Sequence, residues 1–120
     1  MNKYEFTWKE NKYKNKKCEY KGMKFDSKKE MTWFINLENM QKLGKITELE
    51  RQVEFVLIET FRVNRKTYRK TKYIADFTYK TPDGKYHVVD VKSEATRKDK
   101  TYQLKKKLLA WKYGIEIEEV

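Results

Sequence analysis

An α/β domain with a mixed sheet is what this sequence predicts, and three observations carry the prediction. Strand-like runs stand at residues 50–59, 72–80 and 85–93, each about the length of a strand. The second and third are joined by Thr81-Pro82-Asp83-Gly84, where proline at the second position and glycine at the end favour an antiparallel hairpin. A helix-period stretch over 98–112 separates these runs from a short last strand, "IEIEEV". That helix has to cross the sheet to return the final strand to it.

Taken in order, residues 1–17 are rich in Lys, Asn and Tyr without a stable period, and read as an extended basic N-terminal arm. A single domain is expected over 18–120. "CEYKGMKF" alternates about Lys21-Gly22 and predicts a small hairpin. Ser27 is a good N-cap with Glu30 three residues on. Phe34, Leu37 and Gln41 continue the face of Glu30, and Gly44 ends the helix. In the strand over 50–59, Val53, Phe55 and Leu57 alternate with Gln52, Glu54 and Val56. "RVNRKTYRKTK" follows as a basic connection.

In "KYIADFTYK", Ile74, Asp76 and Thr78 share one face and Tyr73, Ala75, Phe77 and Tyr79 the other. In "VVDVKS", Val89 and Val91 oppose Val88, Asp90 and Lys92. Leu104, Leu108 and Trp111 form the apolar stripe of the last helix, which Gly114 stops. Tyr73, Phe77, Trp33 and Trp111 are expected in the core.

Charge narrows the function. Twenty-nine Lys and Arg against 18 Asp and Glu leave a net +11, enough to attract polyanions, with nucleic acid the leading class. A membrane is not expected, since no apolar stretch approaches the ~20 residues that span a bilayer and no long basic amphipathic helix is present. The first residues have no apolar core of the kind a signal peptide needs. Cys18 is alone, so no internal disulfide forms, and His87 is its only companion for a zinc site. The expectation is an intracellular protein.

Asp76 lies on a strand whose hairpin partner carries Asp90 and Lys92. Neighbouring strands are about 5 Å apart, so two carboxylates on paired strands can converge on one cation, and an oxygen-rich pair suits Mg²⁺ or Mn²⁺. Lys92 beside them has three roles open: orienting a water, deprotonating it, or neutralising charge on a phosphate. Against this stands the plain alternative that a D-x-K triplet in so lysine-rich a chain is a surface ion pair. Glu30 is open between closing a capping box with Ser27 and facing a site, with Asp26 or Glu38 as substitutes. His87 alternates away from Asp90 and Lys92 and is not expected to act as a base.

The cations Arg62, Arg65, Lys66, Arg69, Lys70 and Lys72 stand in a stretch without an acid between Phe61 and Tyr73. They are either a solvated loop or a phosphate-contacting arm, with Arg97, Lys98, Lys100 and Lys105 to Lys107 extending the surface. No base-reading code is visible.

Asp76, followed by Asp90-Val91-Lys92 after a helix carrying Glu30 and before a helix and strand, resembles the PD-(D/E)XK nuclease superfamily. More closely, "EYKGMKFDSKKE", "YIADFTY", "VVDVKS" and "KKKLLAWKYGIEIEEV" look like a family of small phage-encoded proteins related to Holliday-junction resolvases. The likeness runs from about Cys18 to Val120 and departs at Ala75, where the superfamily's name has proline. It implies a restriction-endonuclease-like αβββαβ core and a Mg²⁺- or Mn²⁺-dependent endonuclease cutting branched DNA. Asp76 and Asp90 are then metal ligands, the Val91 carbonyl a third, Lys92 the catalytic lysine, Glu30 an added ligand and Gln103 a polar residue near the phosphate. Paired cuts across a four-way junction imply a homodimer, working in the cytoplasm of a bacterial host. The other readings are a less selective nuclease and a DNA-binding module that does not cut.

Overall fold

The computed structural model describes residues 8–10 and 16–120, with side chains from Lys17 onward. The basic arm expected over 1–17 lies largely outside these residues. Only strand β1 (Trp8–Glu10) and the start of β2 (Lys16–Tyr20) fall within it. The chain divides into two compact units, Met1–Ile46 and Thr47–Val120.

In the first unit, β1, β2 and β3 (Met23–Phe25) form an antiparallel sheet in that order. The turn between β2 and β3 is two residues, Lys21 and Gly22, both at positive φ (51° and 79°), which matches the twist of a tight hairpin. Helix α1 (Lys28–Lys42) starts where expected. Ser27 is extended and its hydroxyl accepts from the Glu30 N–H at 3.1 Å. Met31, Phe34 and Leu37 are buried, with Phe34 against Phe25 and edge-on to Tyr20. Gln41, read as continuing this face, is exposed, and Trp33 is only half-buried.

The second unit holds a four-stranded mixed sheet, ordered β4-β7-β8-β9, with helices. Its strands are β4 (Thr47–Ile58), β7 (Thr71–Lys80), β8 (Tyr86–Asp90) and β9 (Ile117–Glu119). The first three run antiparallel, and β9 lies parallel to β8, as a helical crossover requires. Helix, strand, strand, strand, helix, strand is thus the observed order from α1 onward, with two insertions.

The first insertion corrects the reading of "RVNRKTYRKTK" as a plain connection. β5 (Phe61–Val63) and β6 (Lys66–Tyr68) pair as a separate two-stranded hairpin, turned by Asn64 and Arg65 at φ 49° and 66°. The second is a short helix, α2 (Glu94–Lys98), capped by Ser93.

The last helix, α3 (Lys100–Tyr113), is capped by Asp99 and ended by Gly114 in the left-handed region. Its buried stripe differs from the expected one. Tyr102 and Leu109 are buried and Leu108 is partly buried, whereas Leu104 and Trp111 are 56% and 79% exposed. Residues 102 and 109 are seven apart, so they share a face as well as 104 and 111 do. Period alone does not choose between the two stripes. Tyr102 and Leu109 pack with Leu57, Tyr73, Ala75, Val88 and Ile117. The core places of Tyr73 and Phe77 hold, and that of Trp111 does not.

Candidate active site

In β8 the simple alternation of a wet and a dry face fails. Val88, Val89 and Asp90 are all buried, so this strand is covered on both sides, as an inner strand of an α/β sheet often is. Asp90 is therefore an acid with no exposure at all.

Phe77 pairs with Val89 at the end of the ladder, and Asp76 and Asp90 are the next residues on the two strands. Instead of repelling, each carboxylate takes a backbone donor from the other's segment. Asp90 Oδ1 accepts from the Asp76 N–H at 2.8 Å, and Asp76 Oδ2 accepts from the Val91 N–H at 2.9 Å. The second oxygen of Asp90 is buried without a hydrogen-bond partner, and Lys92 Nζ stands 3.7 Å from it. Burial pushes the Asp90 carboxyl up to about 6, with Lys92 and the Asp76 N–H opposing the rise.

β8 ends at Asp90, so Val91 and Lys92 lie just past the strand rather than within it. They are still held. The Lys92 N–H donates to the Val120 carbonyl at 3.0 Å, and the Val120 N–H donates to the Asp90 carbonyl at 2.9 Å. The Lys92 ammonium lies 4.6 Å from the centre of the Tyr102 ring and 5.9 Å from that of Tyr73. Such ring faces favour a cation where water is scarce. Tyr102 in turn donates its hydroxyl to Glu119, which also pairs with Lys106 at 3.3 Å. Burial and Glu119 push the Tyr102 phenol up, and the Tyr102 hydrogen bond pulls the Glu119 carboxyl down.

Tyr102 and Glu119 were not singled out in the sequence. The signal was available, because Tyr102 begins the stripe continued by Leu109, and Glu119 shares a face with Ile117 on the last strand.

A hard divalent cation suits this donor set. The unpartnered Oδ2 of Asp90 is an oxygen left without a donor, and Asp76 uses one N–H bond where a carboxylate accommodates several. Among the described residues, no three or more His, Cys, Asp or Glu side chains are gathered as a ready-made metal cluster. Glu30 belongs to the first compact unit, on α1, where it is buried and its own N–H is taken by the Ser27 cap.

The cations divide. Lys70 and Lys72 both pair with Glu54, at 3.5 and 3.2 Å, and Lys98 pairs with Glu94. Arg62, Arg65, Lys66 and Arg69 make no ion pair among the described residues and lie on the exposed β5–β6 hairpin and its foot. Lys100 opens α3 and is exposed, as is Arg97 on α2. Gln103 donates to the Arg97 carbonyl at 3.1 Å, which ties α3 to α2. His87 is engaged elsewhere, with Glu118 at 2.6 Å and Thr81 at 3.0 Å.

No helix among the described residues is long and apolar enough to cross a membrane. No curated protein and no solved structure matches the chain. A family described as "Protein of unknown function (DUF1064)" matches residues 10–118. The match covers nearly the whole chain, strands and helices of the candidate site included, and the chain belongs to that family.

Proposed function

We propose that this protein is a Mg²⁺- or Mn²⁺-dependent endonuclease that hydrolyses phosphodiester bonds in branched DNA, in the manner of a phage Holliday-junction resolvase. The observation that carries the reading is the reciprocal bonding of Asp76 and Asp90, with a buried unpartnered carboxylate oxygen and Lys92 beside it. An inert surface ion pair would be solvated, and Asp90 is fully buried. Burying a carboxylate is costly, and Lys92 at 3.7 Å offsets only part of that cost, since the Asp90 carboxyl is still pushed up to about 6.

Asp76, Asp90 and the Val91 carbonyl would hold the ion. When bound, the ion neutralises charge on the phosphate and makes water a better nucleophile. The Lys92 side chain is restrained at the site by the Tyr102 and Tyr73 rings. Arg62, Arg65, Lys66 and Arg69 bind phosphates with Lys70, Lys72, Arg97, Lys98, Lys100 and Gln103 around them, which positions the duplex without reading its sequence. Two symmetrical cuts call for two copies of the site, hence a homodimer in a bacterial cytoplasm.

A second reading, a DNA-binding module that does not cut, is favoured by the lack of a gathered three-ligand cluster among the described residues. Cleavage of labelled four-way junction, flap and linear duplex by wild type and Asp90→Ala, in Mg²⁺ or EDTA, separates the two. Paired junction cuts lost in the variant and in EDTA establish the enzyme. Salt-sensitive binding without turnover in either metal leaves the module.

A further inference from the structure

The β5–β6 hairpin carries more than charge. Phe61 and Tyr68 are directly opposite on its two strands, and their rings stack nearly parallel, 4.9 Å apart and 8° off plane. They remain 47% and 41% exposed, and Val63 on the same face is 50% exposed. Lys66 Nζ lies over the Tyr68 ring at 4.9 Å. The pairing puts Phe61, Val63, Lys66 and Tyr68 on one face and Arg62 with Thr67 on the other. The foot is braced by the Lys70 N–H, which donates to Thr60 Oγ1 at 3.1 Å.

A cross-strand aromatic pair stabilises a hairpin, but three large apolar side chains left in water on so small an element are more than its own folding explains. Their neighbours Arg62, Arg65, Lys66 and Arg69 make no ion pair among the described residues, so the surface is aromatic and cationic together. An aromatic face flanked by phosphate-binding cations is the chemistry that takes unpaired nucleotides, because every base has a π-face. In paired duplex those faces are already stacked on one another.

We propose that this hairpin is a base-stacking wedge, in which the Phe61–Tyr68 pair receives an unpaired base of DNA while Arg62, Arg65, Lys66 and Arg69 hold the flanking phosphates. The inference deepens the nuclease reading and rests on it for DNA as the polymer. β7 starts at the hairpin's foot and carries Asp76 at mid-strand, and β8 ends at Asp90 beside it, so one strand links wedge and carboxylates. Asp76 is eight positions after Tyr68, which limits their separation to roughly 30 Å. A wedge there would place the branch at a fixed distance from the cut.

The test uses binding in EDTA, followed by fluorescence anisotropy, to a duplex with a short single-stranded gap and to the same sequence fully paired. The gap carries 2-aminopurine, whose emission falls when it stacks. Wild type is expected to bind the gapped DNA about tenfold or more tightly, and to quench the probe. The double variant Phe61→Val with Tyr68→Val keeps strand propensity and is expected to lose both the preference and the quench. Phe61→Tyr, which preserves the stack, is expected to retain both.

Equal binding of the two DNAs by wild type without quenching overturns the wedge, and so does quenching that survives in the double variant. The same DNAs incubated in Mg²⁺ separate this from the nuclease reading. Cutting without quenching leaves the enzyme and removes the wedge, and quenching without cutting does the reverse.

Discussion

Asp76 and Asp90 each accept the backbone N–H of the other's segment, from Asp76 itself and from Val91, so the two acids lock the divergence of β7 and β8. Mutual repulsion is offset by donors of fixed position. What the locking leaves over is one buried oxygen of Asp90 without a hydrogen-bond partner.

Asp90→Asn should abolish cleavage and yet raise the stability of the metal-free protein at neutral pH. Asparagine keeps an acceptor for the Asp76 N–H and removes the buried charge. The Asp90 pKa is raised in the folded state, from an ordinary 3.8 to about 6, so the folded protein holds this proton more tightly than the unfolded chain. The stability associated with the group is fully present below about pH 4 and is lost as pH rises through about 6. In EDTA the melting temperature of the variant should therefore exceed that of wild type at pH 7, and the gap should shrink toward pH 4. A gap independent of pH would show that the charge is already compensated.

Binding of Mg²⁺ or Mn²⁺ should raise the melting temperature of wild type and leave Asp90→Asn and Asp76→Asn unmoved. A ligand present at a hundred times its dissociation constant stabilises by about 2.7 kcal/mol. Equal shifts in all three proteins would place the cation elsewhere.

Tyr102 serves Lys92 through its ring and Glu119 through its hydroxyl, and two substitutions separate these. Tyr102→Phe keeps the ring and should leave most of the turnover, at a stability cost of about 1–3 kcal/mol for the hydrogen bond lost to Glu119. Tyr102→Leu removes the cation's support and should lower kcat further, by roughly the 0.5–2 kcal/mol of such a contact. Identical kcat values for the two would remove Lys92 from the account.

Truncation on α3 tests which stripe faces inward. Leu109→Ala should cost about 2–5 kcal/mol by chemical denaturation. Leu104→Ala, at an exposed position, should stay within about 0.5 kcal/mol.

Affinity for duplex DNA should fall with salt, and each of Arg62→Ala, Arg65→Ala, Lys66→Ala and Arg69→Ala should flatten the slope of log K against log salt by up to about 0.9. Lys70→Ala and Lys72→Ala should do less, because Glu54 already pairs with both.

The fold was largely legible because its signals are local. The Ser27 cap, the Thr81–Gly84 turn and the glycine after Tyr113 all sit where their chemistry puts them. The β5–β6 hairpin was missed because its turn is Asn64-Arg65, and an arginine at positive φ carries none of the glycine signal of a tight turn. The buried stripe of α3 was missed because two apolar faces compete on that helix, and only the sheet beneath decides between them. At the site, Asp76, Asp90 and Lys92 could be named from alternation and a hairpin. Tyr102 and Glu119 carry a visible face pattern, but their meeting beside Lys92 depends on a parallel pairing made across the whole crossover.

That crossover bears on when the Asp90–Lys92 segment is held in place. The Asp90–Lys92 segment is clasped on both sides of the peptide by the backbone of Val120, which leaves the ribosome well after the acids and the lysine have emerged. During synthesis the β4–β7–β8 meander can form from local contacts alone, but the clasp waits for β9. The growing polypeptide is thus expected to pass through a stage at which the two acids already hold each other's segments while the Lys92 backbone still lacks its clasp.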